Sequence, residues 1–503
     1  MTPMTRSVGW EIVVKWGLVA VVLAAALGIR LHEIDQPLVT FRAIRHYRSA
    51  IIARDFYYHV TPGIAPKMLL VADANRNIQQ AGEPPLMEWL ACLTYQIVGH
   101  ETTAIPRAYA ATAWVLGAIP LYFLALRVGS RRGSLIACAL YLFLPYGIIA
   151  SRNFQPDAVM TLASLIALLA LVRLYEKPGP DRRAAAIALV GLALLIKPMS
   201  VFVTLPVLIG LHLTRGNRPR FEAGELIITG GLCFIPALLY YGYGAIFGNF
   251  VQDQMRTRFV PHLILTSFFW GGLLRQVRRV FTWPLFVLAV IGSALAPRLG
   301  KVLMLSLWVG YAAFAVAFTY HMPTHDYYHM PYIAVVGLGV AALASWLEER
   351  VFARVPRLAL DAIVLATCAA IAVIGTQTAW PKLEVPGAAA ELERYREIGQ
   401  ITDHDTRVLF LDLEYGYPLM YHAEVSGDTW PGSDDLNAEM LDGRPMIDAN
   451  KRFARDYAGF KPNYFVVTDL DSLEAQPDLQ ALLNQRTTLI HKDPHYRIYK
   501  FTS

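Results

Sequence analysis

The sequence predicts an α-helical polytopic membrane protein of about eleven spans, with interfacial helices in its first outer loop and a small C-terminal α/β soluble domain. Three observations lead there. Of the 503 residues 55% are hydrophobic and only 17% charged, and the mean hydropathy is +0.38, so most of the chain suits lipid better than a series of soluble cores. Apolar runs recur at about 11–29, 104–126, 134–150, 157–173, 184–196, 200–213, 225–247, 280–296, 302–320, 330–347 and 358–378, each read as one span, some shorter than usual. From 388 onward the pattern becomes that of a soluble chain, and the expected division is a membrane domain over 1–380 and an extracytoplasmic domain over 381–503.

The first run is flanked by Arg6 and Lys15 and lacks a small-residue cleavage site, so it reads as a retained span. The short loops 127–133, 173–183, 214–220, 297–301 and 348–357 are basic and fall on alternate span ends. The positive-inside rule then puts them, with the N-terminus, in the cytoplasm and puts the tail outside. The formal charge of +6 resides largely in such loops and is no sign of nucleic-acid binding. Cys92, Cys138, Cys233 and Cys368 stand singly in apolar surroundings and form neither a disulfide frame nor a metal motif.

On the expected outer side, the first loop crowds Glu33, Asp35, Arg42, Arg45, His46, Arg48, Arg54 and Asp55 together, and RAIRHYRSAIIARDFYYH has apolar residues at helical spacing. It reads either as an amphipathic helix lying at lipid headgroups or as a site where a carboxylate takes a proton while Arg45 and His46 hold a phosphate. GEPPLMEWLACLTYQIVG follows as a second interfacial helix, with Glu83 either a helix-start acid or a functional carboxylate. In SRNFQPDAVM, Arg152 ends one span and Asp157 opens the next. Lys197 is the lone charge in a long apolar stretch and stands beside Pro198, which points to a polar cavity. The segment 248–279 breaks the charge rule with Arg256, Arg258, Arg275, Arg278 and Arg279, so either the topology slips there or these arginines bind an anion. In HMPTHDYYHMP (321–331), Pro323 opposes a continuous helix that would align three histidines on a metal, so no metal site is expected. His325 and Asp326 are expected to hydrogen-bond a sugar or phosphate, with Tyr327 and Tyr328 giving one ring for stacking and one for the interface.

In the tail, AAELERYREIGQ, a segment near 447–458 and 471–485 read as helices; RVLFLD, NYFVVTD, TTLIH and HYRIYKF read as strands. No nucleotide-binding GxxxxGK or GxGxxG occurs there.

Taken in order, these motifs resemble the GT-C superfamily of integral-membrane glycosyltransferases, the branch holding protein O-mannosyltransferases, the lipid A aminoarabinose transferase and related bacterial enzymes. The resemblance covers about 10–350: one span, a long loop leading to E-P-P-L, a span opening with Arg107, S-R-N-F-Q-P-D, a K-P break and H-D-Y-Y-H-M-P. It implies a polyprenyl-phosphate sugar donor, a lipid, glycan or protein acceptor, transfer with inversion at the outer face of the cell membrane, and no required cofactor, although a divalent metal is compatible. The family's usual Asp-Glu pair is replaced here by Arg45-His46. The catalytic candidates are therefore Asp35, Glu83 and Asp157. Arg45, His46, Arg107, Arg152, Lys197, Arg256, Arg258, His325, Asp326, Tyr327 and Tyr328 are the candidate substrate-binding residues. A transporter or flippase would show two related halves or several polar mid-span faces, and neither is found. A non-catalytic scaffold is the other reading that the lost Asp-Glu pair leaves open.

Overall fold

A computed structural model describes residues 4–37, 43–79, 82–214, 223–247, 259–384, 386–441, 445–457 and 459–502. The chain packs as two compact units, Met1–Ile34 with Ala81–Pro84 and Arg107–Glu384, and Asp35–Gln80 with Pro85–Pro106 and Val385–Ser503. The tail from Val385 and the first-loop helices fall in the same unit.

Every apolar run of the sequence is helical. Six helices among the described residues are long and apolar enough to cross a membrane: Ala104–Val128, Asp157–Glu176, Gly224–Ile246, Arg298–Ala317, Tyr332–Arg350 and Arg357–Lys382. Ser267–Val280 and Trp283–Leu295 qualify only together and meet at a 94° bend. The first run lies in the helix Met4–Leu31, and the rest are shortened by proline: Leu144 precedes Pro145 between Arg131–Phe143 and Pro145–Ala150, and Lys197-Pro198 divides Pro180–Ile196 from Val201–Leu213. The expected loop 248–279 is therefore helical from Ser267 on.

Helices in lipid approach closely where side chains are small. A Cβ added to Gly292 would strike the carbonyl of Gly339, and one on Gly339 would strike that of Ala289. Gly310 is likewise backed by the carbonyl of Phe202, joining Arg298–Ala317 to Val201–Leu213.

In the second unit a five-stranded sheet has the order β2-β1-β3-β5-β4. Val408–Leu411 (β1) lies parallel to Gly427–Thr429 (β2) and to Tyr464–Val467 (β3). Arg497–Phe501 (β5) runs antiparallel to β3 and pairs with Thr487–Lys492 (β4) across a register shift between Leu489 and His491. Alternate residues of β1 and β3, Leu409, Leu411, Phe465 and Val467, are buried with Trp430 and Leu479 in one core. The helices Ala43–Val60, Pro66–Ile78 and Leu86–Val98 belong to this unit. Arg54 pairs with Glu101 at 2.6 Å and donates to the Tyr421 carbonyl at 2.5 Å. The Tyr47 hydroxyl meets His422 Nε2 at 2.8 Å, and Asn75 donates to the Val425 carbonyl at 2.9 Å. One face of Ala43–Val60 is thus covered by protein, and Arg54 serves that packing.

Candidate functional site

Proline assembles the first cluster. The residue before a proline is driven toward extended backbone, and Lys197 ends its helix at φ −157°, ψ 121° ahead of the short Pro198–Ser200 turn. Its ammonium is buried, 1% exposed, and donates to both oxygens of Asp157 at 2.8 and 2.9 Å. Asp157 is the first residue of its own helix, after Pro156, and is also buried. Glu83 Oε1 lies 3.8 Å from the same ammonium and keeps 16% of its side-chain exposure. One cation thus faces two carboxylates contributed from three places in the sequence, in a setting where an unpaired charge would be costly.

HMPTHDYYHMP forms the neighbouring wall. It folds as a turn of helix, His321–Thr324, followed by the 3-10 turn Asp326–His329, and is mostly buried rather than a surface loop. Tyr327 and Tyr328 are each 5% exposed and stack on one another with centroids 4.6 Å apart. Their rings lie 5.4 and 5.9 Å from the Lys197 ammonium. The expected split, with one ring for a ligand and one at the membrane interface, does not hold, because both rings face inward. Asp326 is fully buried and ion-paired to Arg279 at 3.1 Å. His325 Nδ1 meets the Thr324 hydroxyl at 2.7 Å, and its ring stacks on His321. The third histidine is structural: His329 lies between the Tyr311 hydroxyl and the Met322 carbonyl at 2.7 and 2.8 Å.

Arg107 and Arg152 act on the backbone of the first loop's start. Arg107 donates to the carbonyls of Arg152, at 3.0 Å, and Ile34, and Arg152 donates to the Glu33 carbonyl at 2.7 Å. These contacts pin residues 33–34 where the loop leaves the first helix, so both arginines have a structural task.

Asp35 is exposed and belongs to the second unit, as do Arg45 and the fully buried His46. Arg256 and Arg258 lie outside the described residues. Sequence reasoning singled out Asp326 but not its pairing with Arg279, whose one signal was its place in the run of arginines that breaks the charge rule. Among the described residues, one group of histidine and carboxylate side chains is close enough to share a metal ion, Asp55, His59 and Asp73, with ligand atoms within 4.8 Å of one another.

The family model for dolichyl-phosphate-mannose-protein mannosyltransferases matches residues 82–241, a stretch containing Glu83, Asp157 and Lys197. No curated protein sequence matches the chain. Among solved structures, the chain is similar to ArnT from Cupriavidus metallidurans in the apo state, at 16% identity and a TM-score of 0.62, over 97% of this chain and 98% of that one. The same protein bound to undecaprenyl phosphate gives 16% identity and a TM-score of 0.59 over 96% and 98% of the two chains. The archaeal oligosaccharyltransferase AglB from Archaeoglobus fulgidus, in complex with an inhibitory peptide and a dolichol-phosphate, gives 14% identity and a TM-score of 0.56 over 97% and 75%. With both units covered by the ArnT match, the chain has an ArnT-like fold.

Proposed function

We propose that the protein transfers a glycosyl group from a polyprenyl-phosphate donor to a lipid, glycan or protein acceptor at the extracytoplasmic face of the cell membrane, with the N-terminus cytoplasmic. The observation that carries the reading is the buried Lys197–Asp157–Glu83 group beside Tyr327 and Tyr328. It combines what such a transfer needs, a fixed positive charge for a departing phosphate and a carboxylate for the acceptor's proton. ArnT was solved with undecaprenyl phosphate and AglB with a dolichol-phosphate, which supports a lipid phosphate as the leaving group here.

The step is a displacement at the anomeric carbon. The acceptor oxygen bonds to that carbon as the carbon–oxygen bond to the phosphate breaks, the bonding pair leaves with polyprenyl phosphate, and the acceptor proton passes to a carboxylate. Attack opposite the leaving group inverts the centre. Asp157, with both oxygens on Lys197, fits the role of orienting the ammonium. Glu83, at a longer distance and partly exposed, fits the proton acceptor.

The test is transfer of label from radiolabelled polyprenyl-phosphate sugars, pentosyl and hexosyl, in membranes with and without the protein. Protein-dependent incorporation that falls ~10²–10⁴-fold in Glu83→Gln is the expected result. Folded protein that transfers label from none of these donors would defeat the proposal and favour a scaffold. Normal transfer by Glu83→Gln would move the base to Asp35 or Asp157.

A further inference from the structure

The second unit holds a group of side chains that the proposed transfer does not use. Asp55 and His59 are four residues apart and share a face of the Ala43–Val60 helix. The chain then reverses through 61–65, where Gly63 takes φ +84°, a left-handed conformation that favours glycine. The reversal brings Asp73, on the Pro66–Ile78 helix, against His59.

The hydrogen bonds fix how the imidazole presents itself. His59 Nδ1 lies 2.9 Å from the Asp55 carbonyl oxygen. With its N–H donated there, Nε2 faces Asp73 Oδ1 3.2 Å away, a contact of two acceptors that is favourable only with a proton or a cation between them. Ligating histidines are characteristically held in this way, the second nitrogen on a backbone carbonyl. The separation also suits a shared metal, because two ligands at about 2.0–2.1 Å from a tetrahedral ion are ~3.3 Å apart.

Asp55 supplies an independent observation. Its residue is 7% exposed, and Oδ1 is fully buried with no hydrogen-bond partner. The nearest side-chain nitrogens are His59 Nδ1, 3.3 Å from Oδ1 and already committed to the carbonyl, and Arg76 Nε, 3.9 Å from Oδ2. A buried carboxylate oxygen without a donor is destabilising unless a cation meets it. Arg76 stands on the outer oxygen, and the inner one is left for a metal.

We propose that Asp55, His59 and Asp73 form a divalent-cation site, best matched to Zn²⁺, that fastens the Ala43–Val60 helix to the Pro66–Ile78 helix. One imidazole and two carboxylates are a ligand set zinc accepts, with the fourth position taken by water. His59 and Asp73 are about half exposed, with side-chain exposures of 48% and 51%, so that position opens to solvent. The second helix is also tied to the tail, through Lys67–Asp403 at 2.5 Å and Asn75 on Val425. The cation would complete a fastening of the first loop that the rest of the unit begins. Spacing along the chain does not reveal this group, since Asp73 stands outside the helix that carries Asp55 and His59.

A proton is the competing occupant, because the Asp55 carbonyl hydrogen bond, together with the charges of Asp55 and Asp73, holds the His59 pKa above its ordinary value. The test therefore runs at pH 8, on full-length protein in detergent treated with chelator and exchanged into metal-free buffer. Zn²⁺ is titrated against a chromophoric chelator, and Co²⁺ is followed by its visible spectrum. Wild type should bind one equivalent. His59→Gln and Asp73→Asn, both at half-exposed positions, should unfold at the metal-free wild-type temperature and bind at least ~10-fold more weakly. Zn²⁺ should raise the unfolding temperature of wild type but not of the variants. His325→Gln, which removes one of the stacked pair His321 and His325, should bind as wild type does. No tight equivalent in wild type, or equal affinity in the His59 and Asp73 variants, would overturn the proposal and leave the three residues as a hydrogen-bonded ion pair.

Discussion

Replacing Lys197 with Met and Asp157 with Asn, singly and together, tests whether the cluster is a coupled buried pair. At 2.8 Å, and with an effective dielectric near 20, the attraction of the two charges is about 6 kcal/mol, set against several kcal/mol of desolvation for each ion. The net value of the pair is therefore small. Removing one partner is another matter, because the survivor keeps its desolvation penalty without the attraction. That costs ~3–5 kcal/mol. Lys197→Met is the harsher change, since it removes the ammonium that both Asp157 and Glu83 face. The double variant restores the net charge of the wild-type cluster at near-constant volume and should be more stable than Lys197→Met alone. For a unit of more than 300 residues ~1 kcal/mol shifts the midpoint by about 1.5 °C, so Lys197→Met should melt roughly 5–8 °C lower, read by tryptophan fluorescence in detergent. Transfer should be lost in the double variant as in the singles, which separates folding from chemistry. The reasoning fails if Lys197→Met melts with the wild type, or if the double variant loses the sum of the two single losses.

Arg279→Ala should destabilise by ~1–3 kcal/mol by removing one ion-pair partner of the buried Asp326 carboxylate, and Arg279→Ala/Asp326→Asn should recover part of that in thermal unfolding. Gly339→Val should cost at least ~1–3 kcal/mol, because its side chain meets the Ala289 backbone, and it should show as aggregation on size exclusion. His422 is pushed down to about 3 by burial and by the positive charges of Arg54 and Arg396, from an ordinary 6.5. The unfolded chain therefore binds the proton more readily. The stability His422 contributes is complete above pH 6.5 and declines as pH falls toward 3, by about 2 kcal/mol at pH 5. His422→Phe should flatten that slope in urea melts of the tail's fluorescence.

The helices were legible because lipid imposes one answer on a long apolar run, and β1, β3, β4 and β5 were legible from their short apolar patterns between turns. The strand Gly427–Thr429 was not, since three residues carry no period. Nor was the grouping of the first-loop helices with the tail, which rests on pairs such as Tyr47 with His422 and Arg54 with the Tyr421 carbonyl, more than 350 residues apart. At the site, Glu83, Asp157 and Lys197 were each marked by a charge beside a proline in apolar surroundings, and the fold joins them. The inward turn of Tyr327 and Tyr328 was hidden, because aromatic residues at a span end have the same composition whether they face lipid, solvent or one another.

That recurring proline has a physical cause. A charge in the middle of an intact membrane helix must be met by side chains alone, since the helix has already used its backbone groups. A helix end or break lets the chain change direction there, so a short side chain can point along a packing boundary rather than into lipid. Glu83 precedes Pro84, Asp157 follows Pro156, Lys197 precedes Pro198, and Asp326 lies three residues after Pro323. Each of these charges sits at a helix terminus or in a turn, and each meets its partner there, Lys197 with Asp157 and Glu83, Arg279 with Asp326. Pro198→Ala should accordingly act through Lys197. Extending Pro180–Ile196 through the break would rotate the following residues by about 100° each around a common axis, swinging the ammonium away from Asp157. The variant should then resemble Lys197→Met in its loss of stability, and a Pro198→Ala protein that melts with the wild type would show that the pair, not the break, sets the position of the charge.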